Sequence, residues 1–306
     1  MPDFTFQVNP RWPELPGCSA LLNGVIRSRD YLVYDYRTTL SIKTVASGEA
    51  WYRTAGGLFR VDSGSLLVLN HDQTYSMEVA AETGTETLCP FFQRGFLEDA
   101  ARSREASDVT LLDAPEPADG PRAIGFHERL YAKDGRLGSI LAALQGGLRL
   151  GPLPAAWLED RFFALAEELL ALDRGVRREI AAFPGARAST RAELYRRLHR
   201  GRDFLLSCYD RPLTVAQVAR VACLSPFHFQ RLWKEAFGVT PMQFLQARRL
   251  AVAQRLLRTT DDDVTSIGFS VGFESLGSFS WLFRRRFGVS PRSYRTRGHR
   301  TAVPPG

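Results

Sequence analysis

Two stretches fifty residues apart hold the side chains best suited to chemistry. SPFHFQRLWKEAFGVTPMQF (225–244) and SLGSFSWLFRRRFGVSPRSY (275–294) are identical at seven of twenty positions: 225/275, 229/279, 232/282, 237/287, 238/288, 239/289 and 241/291. Trp233/Phe283, Lys234/Arg284, Thr240/Ser290 and Phe244/Tyr294 are conservative exchanges. In the first stretch a helical period buries Phe229, Leu232, Trp233 and Ala236 and leaves Phe227, His228, Gln230, Arg231 and Lys234 outward. The planar donor fork of Arg231 fits guanine O6/N7, and the amide of Gln230 fits adenine N6/N7. A solvated surface arginine is the other reading of Arg231. Lys234 and His228 suit phosphates, which position a protein without specifying sequence. In the second stretch Phe279, Leu282 and Phe283 turn inward, and Arg284 and Arg285 remain to grip phosphates.

The elements that must hold these side chains repeat as well. A short helix precedes each stretch, VAQVARVA (215–222) and VTSIGFSV (264–271), followed by a tight turn at Cys223-Leu224 and Gly272-Phe273-Glu274. Ser225 and Ser275 stand where an N-cap belongs, and Pro226 suits the first helical position. Gly238 and Gly288 end the second helices, with Pro241 and Pro291 just beyond. Helix, turn, helix used twice is an internal duplication. Ala247, Leu250, Ala253 and Leu257 share a face, which predicts a continuous helix between the copies. A helix of roughly 15–20 residues spans about 25–30 Å, close to the ~34 Å between successive major-groove faces. Upstream, Thr190 with Glu193 reads as a capping box, and Leu194, Leu198, Gly201, Leu205 and Tyr209 form a helical stripe.

Charge separates this region from the rest. Residues 191–306 hold 20 Lys+Arg and 8 Asp+Glu, whereas residues 1–190 hold 20 and 25; the chain as a whole is +7. Such a basic third expects a polyanionic partner. Arginine enrichment throughout the chain, in which only Lys43, Lys133 and Lys234 are lysines, does not explain why acids are scarce only after 190. With 44% hydrophobic and 24% charged residues, disorder along the whole chain is excluded. No apolar run is long enough to span a bilayer, and the start lacks a basic cluster followed by an apolar stretch, so a cytoplasmic location is expected. Cys18, Cys89, Cys208 and Cys223 are far apart and read as reduced thiols.

Residues 40–93 alternate short apolar bursts with turn signals, which predicts an antiparallel sandwich or barrel. Residues 95–103 read as a helix and 113–122 as a linker. Over 137–182 the period becomes helical. Leu158, Phe162, Leu165, Leu169 and Leu172 form a heptad seam, and both a helical hairpin docked on its own chain and a dimer interface fit it. Trp51, Tyr52, Phe59, Tyr75 and Phe91 either line a small-molecule pocket or fill the core. His71 and His127 are isolated and do not make a metal set. No catalytic or nucleotide-binding motif stands out, so neither catalysis, a metal nor a cofactor is expected.

Residues 194–295 resemble the DNA-binding domain of the AraC/XylS family of bacterial transcription regulators. The likeness is carried by HFQRLWKEAFGVTP (228–241), RRLAVAQRLL (248–257) and GFESLGSFSWLFRRRFGVSPRSYR (272–295). It implies an all-α C-terminal domain of seven helices in two helix-turn-helix units, behind a mainly β, cupin-like N-terminal domain that senses a ligand or dimerises. It places base contacts at Phe227, Gln230 and Arg231. The second copy departs from the family at Leu276, Gly277, Ser278 and Trp281, where relatives carry polar or Arg readers. Ser278 and Trp281 are its base-contact candidates. Trp281 either meets a thymine methyl or the sugar wall, or packs on a neighbouring helix. Most base discrimination is therefore expected from the first copy. The expected organisation is a cupin-like domain over 1–120, a helical linker or dimerisation region over 121–189, the double unit over 190–297 and a disordered tail over 298–306. The implied partners are double-stranded promoter DNA, RNA polymerase, a small-molecule effector and a second copy of the chain. The function expected is a ligand-responsive activator, or a ligand-independent dimeric regulator or repressor whose N-terminal half is a scaffold.

Overall fold

The computed structural model describes residues 18–26, 32–79, 84–105, 124–150, 153–185 and 187–300. Two compact units divide the chain, Met1–Ala192 and Glu193–Gly306. The linker expected at 113–122 lies outside the described residues, as does 301–306 of the expected tail; 298–300 belong to the last helix.

The described part of the first unit is built on nine strands in two antiparallel sheets. They are β1 (Cys18–Ile26), β2 (Leu32–Arg37), β3 (Leu40–Ser47), β4 (Glu49–Thr54), β5 (Gly57–Asp62), β6 (Ser65–Leu69), β7 (Thr74–Val79), β8 (Thr85–Phe92) and β9 (Leu130–Ala132). The sheet orders are β1-β8-β3-β6-β9 and β2-β7-β4-β5. The bursts between 40 and 93 are β3 to β8. Every residue of β6 and the first six of β3 are buried, because that sheet is covered on both faces. One face meets the second sheet. The other meets helices α1 (Phe96–Glu105), α2 (Gly135–Leu150) and α3 (Ala155–Ala181), with Phe92 of β8 edge-on to Phe162 of α3 at 5.6 Å. Leu158, Phe162, Leu165 and Leu169 are buried, each such side chain contributing about 1.5–3 kcal/mol. The seam over α3 is thus occupied within its own unit, as in the docked reading, and Leu172 at its end is half-buried.

Arg149 of α2 holds Glu86 of β8, Nε to Oε1 at 2.9 Å, with a second bond from Nη2. These bonds keep the Glu86 carboxyl below the usual glutamate range. A depressed folded-state value contributes stability above the ordinary value of about 4.3 and loses it as pH falls through the lowered one. Glu86→Gln should therefore be less stable than the parent at pH 6, and the gap in thermal midpoint should narrow as the pH falls below the ordinary glutamate value.

In the second unit the helices are α4 (Ala188–Ser207), α5 (Val215–Val221), α6 (Pro226–Phe237), α7 (Pro241–Thr259), α8 (Val264–Ser270), α9 (Leu276–Phe287) and α10 (Pro291–Arg300). The division between units falls near the start of α4. Thr190 does not cap that helix, which begins two residues earlier, and Glu193 instead pairs with Arg196 and Arg197. Tyr195 is buried where Leu194 was expected. The caps of the duplicated copies lie where the spacing puts them. Ser225 accepts from the His228 N–H and Ser275 from the Ser278 N–H, while Gly238 and Gly288 close the helices at φ 71° and 78°, left-handed values that favour glycine. Two full capping boxes, Thr214 with Gln217 and Thr240 with Gln243, start α5 and α7.

The cores of the copies match ring for ring. Trp233, Phe237 and Phe244 have centroid separations of 4.5, 5.3 and 6.2 Å. Phe283, Phe287 and Tyr294 repeat them at 4.5, 5.6 and 6.1 Å. Each triad locks the second helix of its copy to the helix beyond the Gly-Val-Thr/Ser-Pro corner.

Candidate functional site

The triads fix which faces α6 and α9 turn outward. On α6 the buried set is Phe229, Leu232 and Trp233. Ala236, expected inside, is exposed, because the packed stripe runs from Trp233 to Phe237 instead. Phe227, Gln230, Arg231 and Lys234 are exposed and His228 is partly covered. Spacings of three and four bring these side chains onto one patch. Phe227 is 80% exposed, an apolar ring held in water at the first turn beside a guanidinium, an amide and an ammonium.

On α9 only Phe279 and Phe283 are buried; Leu282 is partly covered. Leu276, Gly277, Ser278, Trp281, Arg284 and Arg285 face solvent. Trp281 is 60% exposed, so it does not pack into a neighbouring helix. The Arg285 guanidinium lies over its ring at 5.3 Å, a cation–π stack one helical turn long. The two outward faces therefore differ: donors with one ring on α6, and an indole flanked by arginines on α9.

Electrostatics sorts the arginines of this unit into two groups. Arg248 lies over the Tyr209 ring at 5.2 Å. Arg249 donates to the carbonyls of Tyr209 and Arg211 at 2.7 and 2.8 Å. These two tie the end of α4 to α7. Arg231, Lys234, Arg284, Arg285 and Arg286 pair with no carboxylate among the described residues and are exposed. Unpaired cations on exposed helix faces gain little from one another and much from a polyanion. The helix between the copies, α7, has 19 residues and is about 28 Å long. Its buried face uses Leu250, Ala253 and Leu257, with Val252 in place of the exposed Ala247.

The first unit contains a group that its sequence did not mark. Lys43 of β3 is fully buried between the sheets. Its Nζ donates to Tyr75 Oη at 3.3 Å and lies 4.5 and 4.4 Å from the ring centres of Tyr75 and Phe91. Burial pushes its ammonium below the usual lysine range, against a weaker upward pull from Cys89. Tyr52 packs on Tyr75 at 5.8 Å, and Phe59 is buried opposite Tyr52 across the β4–β5 pair. So Tyr75 and Phe91 flank Lys43, and Tyr52 packs on Tyr75. Trp51 does not: adjacent strand residues point to opposite faces, and Trp51 lies outside under Arg60. His71 Nδ1 accepts from the Leu40 N–H at 3.1 Å and serves the fold. Cys89 and Cys223 are free thiols. No helix among the described residues is long and apolar enough to cross a membrane.

Comparison with known proteins places the likeness in the second unit. Residues 218–297 match a family described as "Helix-turn-helix domain". Over 65 residues the chain is 51% identical to the HTH-type transcriptional activator RhaS of Escherichia fergusonii, which is 21% of this chain and 23% of that protein. Over 86 residues it is 36% identical to the HTH-type transcriptional regulator AlkR of Acinetobacter baylyi, covering 28% of each. Among solved structures, a transcriptional regulator from Chromobacterium violaceum, described as AraC-type DNA-binding domain-containing, shares 26% identity over 39% of this chain and all of that one, with a TM-score of 0.33. The matched segments thus span about a quarter of the length of the two curated relatives.

Proposed function

We propose a function from the premise that residues 218–297 are a helix-turn-helix domain of the AraC/XylS kind: the chain binds specific promoter sequences and regulates transcription from them. In this reading α5–α6 and α8–α9 are two helix-turn-helix units. The N-terminal residues of α6 and α9 enter successive major grooves. Phe227, Gln230 and Arg231 read bases, with Ser278 and Trp281 in a lesser part. His228, Lys234, Arg284 and Arg285 hold phosphates. The observation that carries this is the pair of matching ring triads, each presenting a helix face of unpaired cations at the two ends of a 19-residue helix.

The first unit, in the same reading, is a cupin-like sensor whose interior takes a small effector. The effector acts by binding two arrangements of the protein with different affinity. Activation through RNA polymerase and self-association as a homodimer complete the proposal. Its test is selection of genomic fragments by the full chain at about 0.1 M salt, followed by sequencing. A shared motif should emerge among the retained fragments. Its affinity should fall with salt at a log–log slope of about −0.9 per phosphate contact. Retention without any common motif, or none at all, rejects the reading.

A further inference from the structure

We propose that α9 recognises thymine through its 5-methyl group, so that the half-element under α9 is specified by apolar contact where the half-element under α6 is specified by hydrogen bonds. This rests on the DNA-binding reading above and names what the second copy selects.

The two copies present different chemistry from matched positions. At an offset of fifty, Arg231 becomes Trp281, Gln230 becomes Ser280 and Phe227 becomes Gly277. An indole has one N–H donor and no acceptor. Every base pair shows at least one acceptor in the major groove, so a single donor does not sort them. Ser278 does no better. Its N–H and its hydroxyl are both engaged with Ser275 Oγ in the cap, at 3.2 and 3.1 Å, and a hydroxyl pairs with donors and acceptors alike. What Trp281 does offer is a broad apolar edge, held in solvent. The C5 methyl is the apolar feature of the major groove, and of the four bases thymine alone carries it.

Gly277 lies one turn before Trp281 on the same stripe. Glycine costs a helix stability relative to alanine, and other helix glycines of this unit have a packing reason. A Cβ at Gly201 or Gly268 would meet the ring of Phe229 or Phe279 at 2.9 Å. A Cβ at Gly277 would meet nothing within 4 Å. Packing does not ask for glycine there; the bare backbone instead lets a base edge come close to the indole. The Arg285 guanidinium covers one face of that indole at 5.3 Å. A wedge inserted between base steps unstacks them and lies between two bases, which needs both faces of the ring. The geometry therefore favours an edge laid along the groove. Arg284, Arg285 and Arg286 in the last turn supply the attraction that brings this face to a duplex.

The test uses the full chain and the duplex recovered by the selection above. Each thymine in turn is replaced by uracil, which removes the methyl and leaves every donor and acceptor in place. Affinities are measured for the parent and for Trp281→Ala. With the parent, one or two neighbouring positions in one half-element should lose about fourfold per methyl, the transfer of one CH2-sized group from water. With Trp281→Ala that loss should vanish, and the two proteins should bind the uracil duplex about equally. Cytosine placed at the same position should gain a similar factor when methylated at C5, because the methyl then stands in the same place. Arg231→Ala should leave the methyl effect unchanged. The absence of any methyl effect that depends on residue 281 overturns the proposal. So does a Trp281→Ala variant that weakens thymine and uracil duplexes alike, the mark of a ring on the sugar wall, or a C5 methyl on cytosine that brings no gain. In each of these results the selected motif still stands, so only the role of α9 falls. If the selection retains no common motif, the DNA-binding reading fails and this proposal falls with it.

Discussion

Arg231→Ala should lower affinity for a selected site by about ten- to a hundredfold, the ~1–3 kcal/mol of one bidentate base contact. The loss should concentrate at one base pair, so that operator variants changed there become equivalent. Arg285→Ala should behave differently. Its guanidinium stacks on Trp281, and in the role proposed for it its removal takes away a phosphate contact. Affinity should then fall for all sequences alike, and the salt slope should flatten by about one unit. Fluorescence anisotropy titrations of an operator series at two salt concentrations distinguish the patterns. If Arg285→Ala relaxes sequence preference and Arg231→Ala weakens binding uniformly, the roles of the two helices are reversed.

Trp233→Ala should cost about 3–5 kcal/mol, the range for truncating a large buried aromatic. The indole is fully buried and touches Phe229, Phe237 and Phe244. Removing it opens a cavity where three helices meet. Trp233→Phe should cost far less. The second copy builds the same triad around Phe283, and the indole N–H has no acceptor among the described residues. Urea unfolding followed by circular dichroism at 222 nm should be fitted with two transitions, because the units need not unfold together. The helical transition should move to lower urea in Trp233→Ala and hardly move in Trp233→Phe. Equal shifts in both variants would show that the volume of the ring does not matter here.

What the sequence disclosed follows the strength of each local signal. β3 to β8 were legible because period-two bursts were bounded by turn residues. β1 and β2 were not, since Asn23-Gly24 and the left-handed Asp35 interrupt their alternation. β9 is three residues long and has no period to read. The copies of the second unit were legible almost residue by residue, because caps, glycines and prolines recur at fixed offsets. Ala236 misled because steps of three and of four from Trp233 fit a helical period equally, and the packed stripe takes the second, Phe237. Arg248 and Arg249 count toward the net charge yet are engaged with Tyr209 and its neighbours, which no local pattern announces. Lys43 was hidden for a related reason. In SIKTV a polar residue between apolar neighbours reads as the wet side of a strand, and only the pairing of two sheets makes both sides dry.

The ring-locked corners have one last consequence, for the spelling of the target. Because α7 is clamped at its start to Phe237 and Trp233 and bonded near its end, through Gln254, to Tyr294, the two ends have no swivel between them. One base pair inserted between the half-elements turns the far one by about 34° around the duplex axis, and nothing in the protein can follow. Natural targets should therefore tolerate letter changes in the middle but not a change in the number of letters.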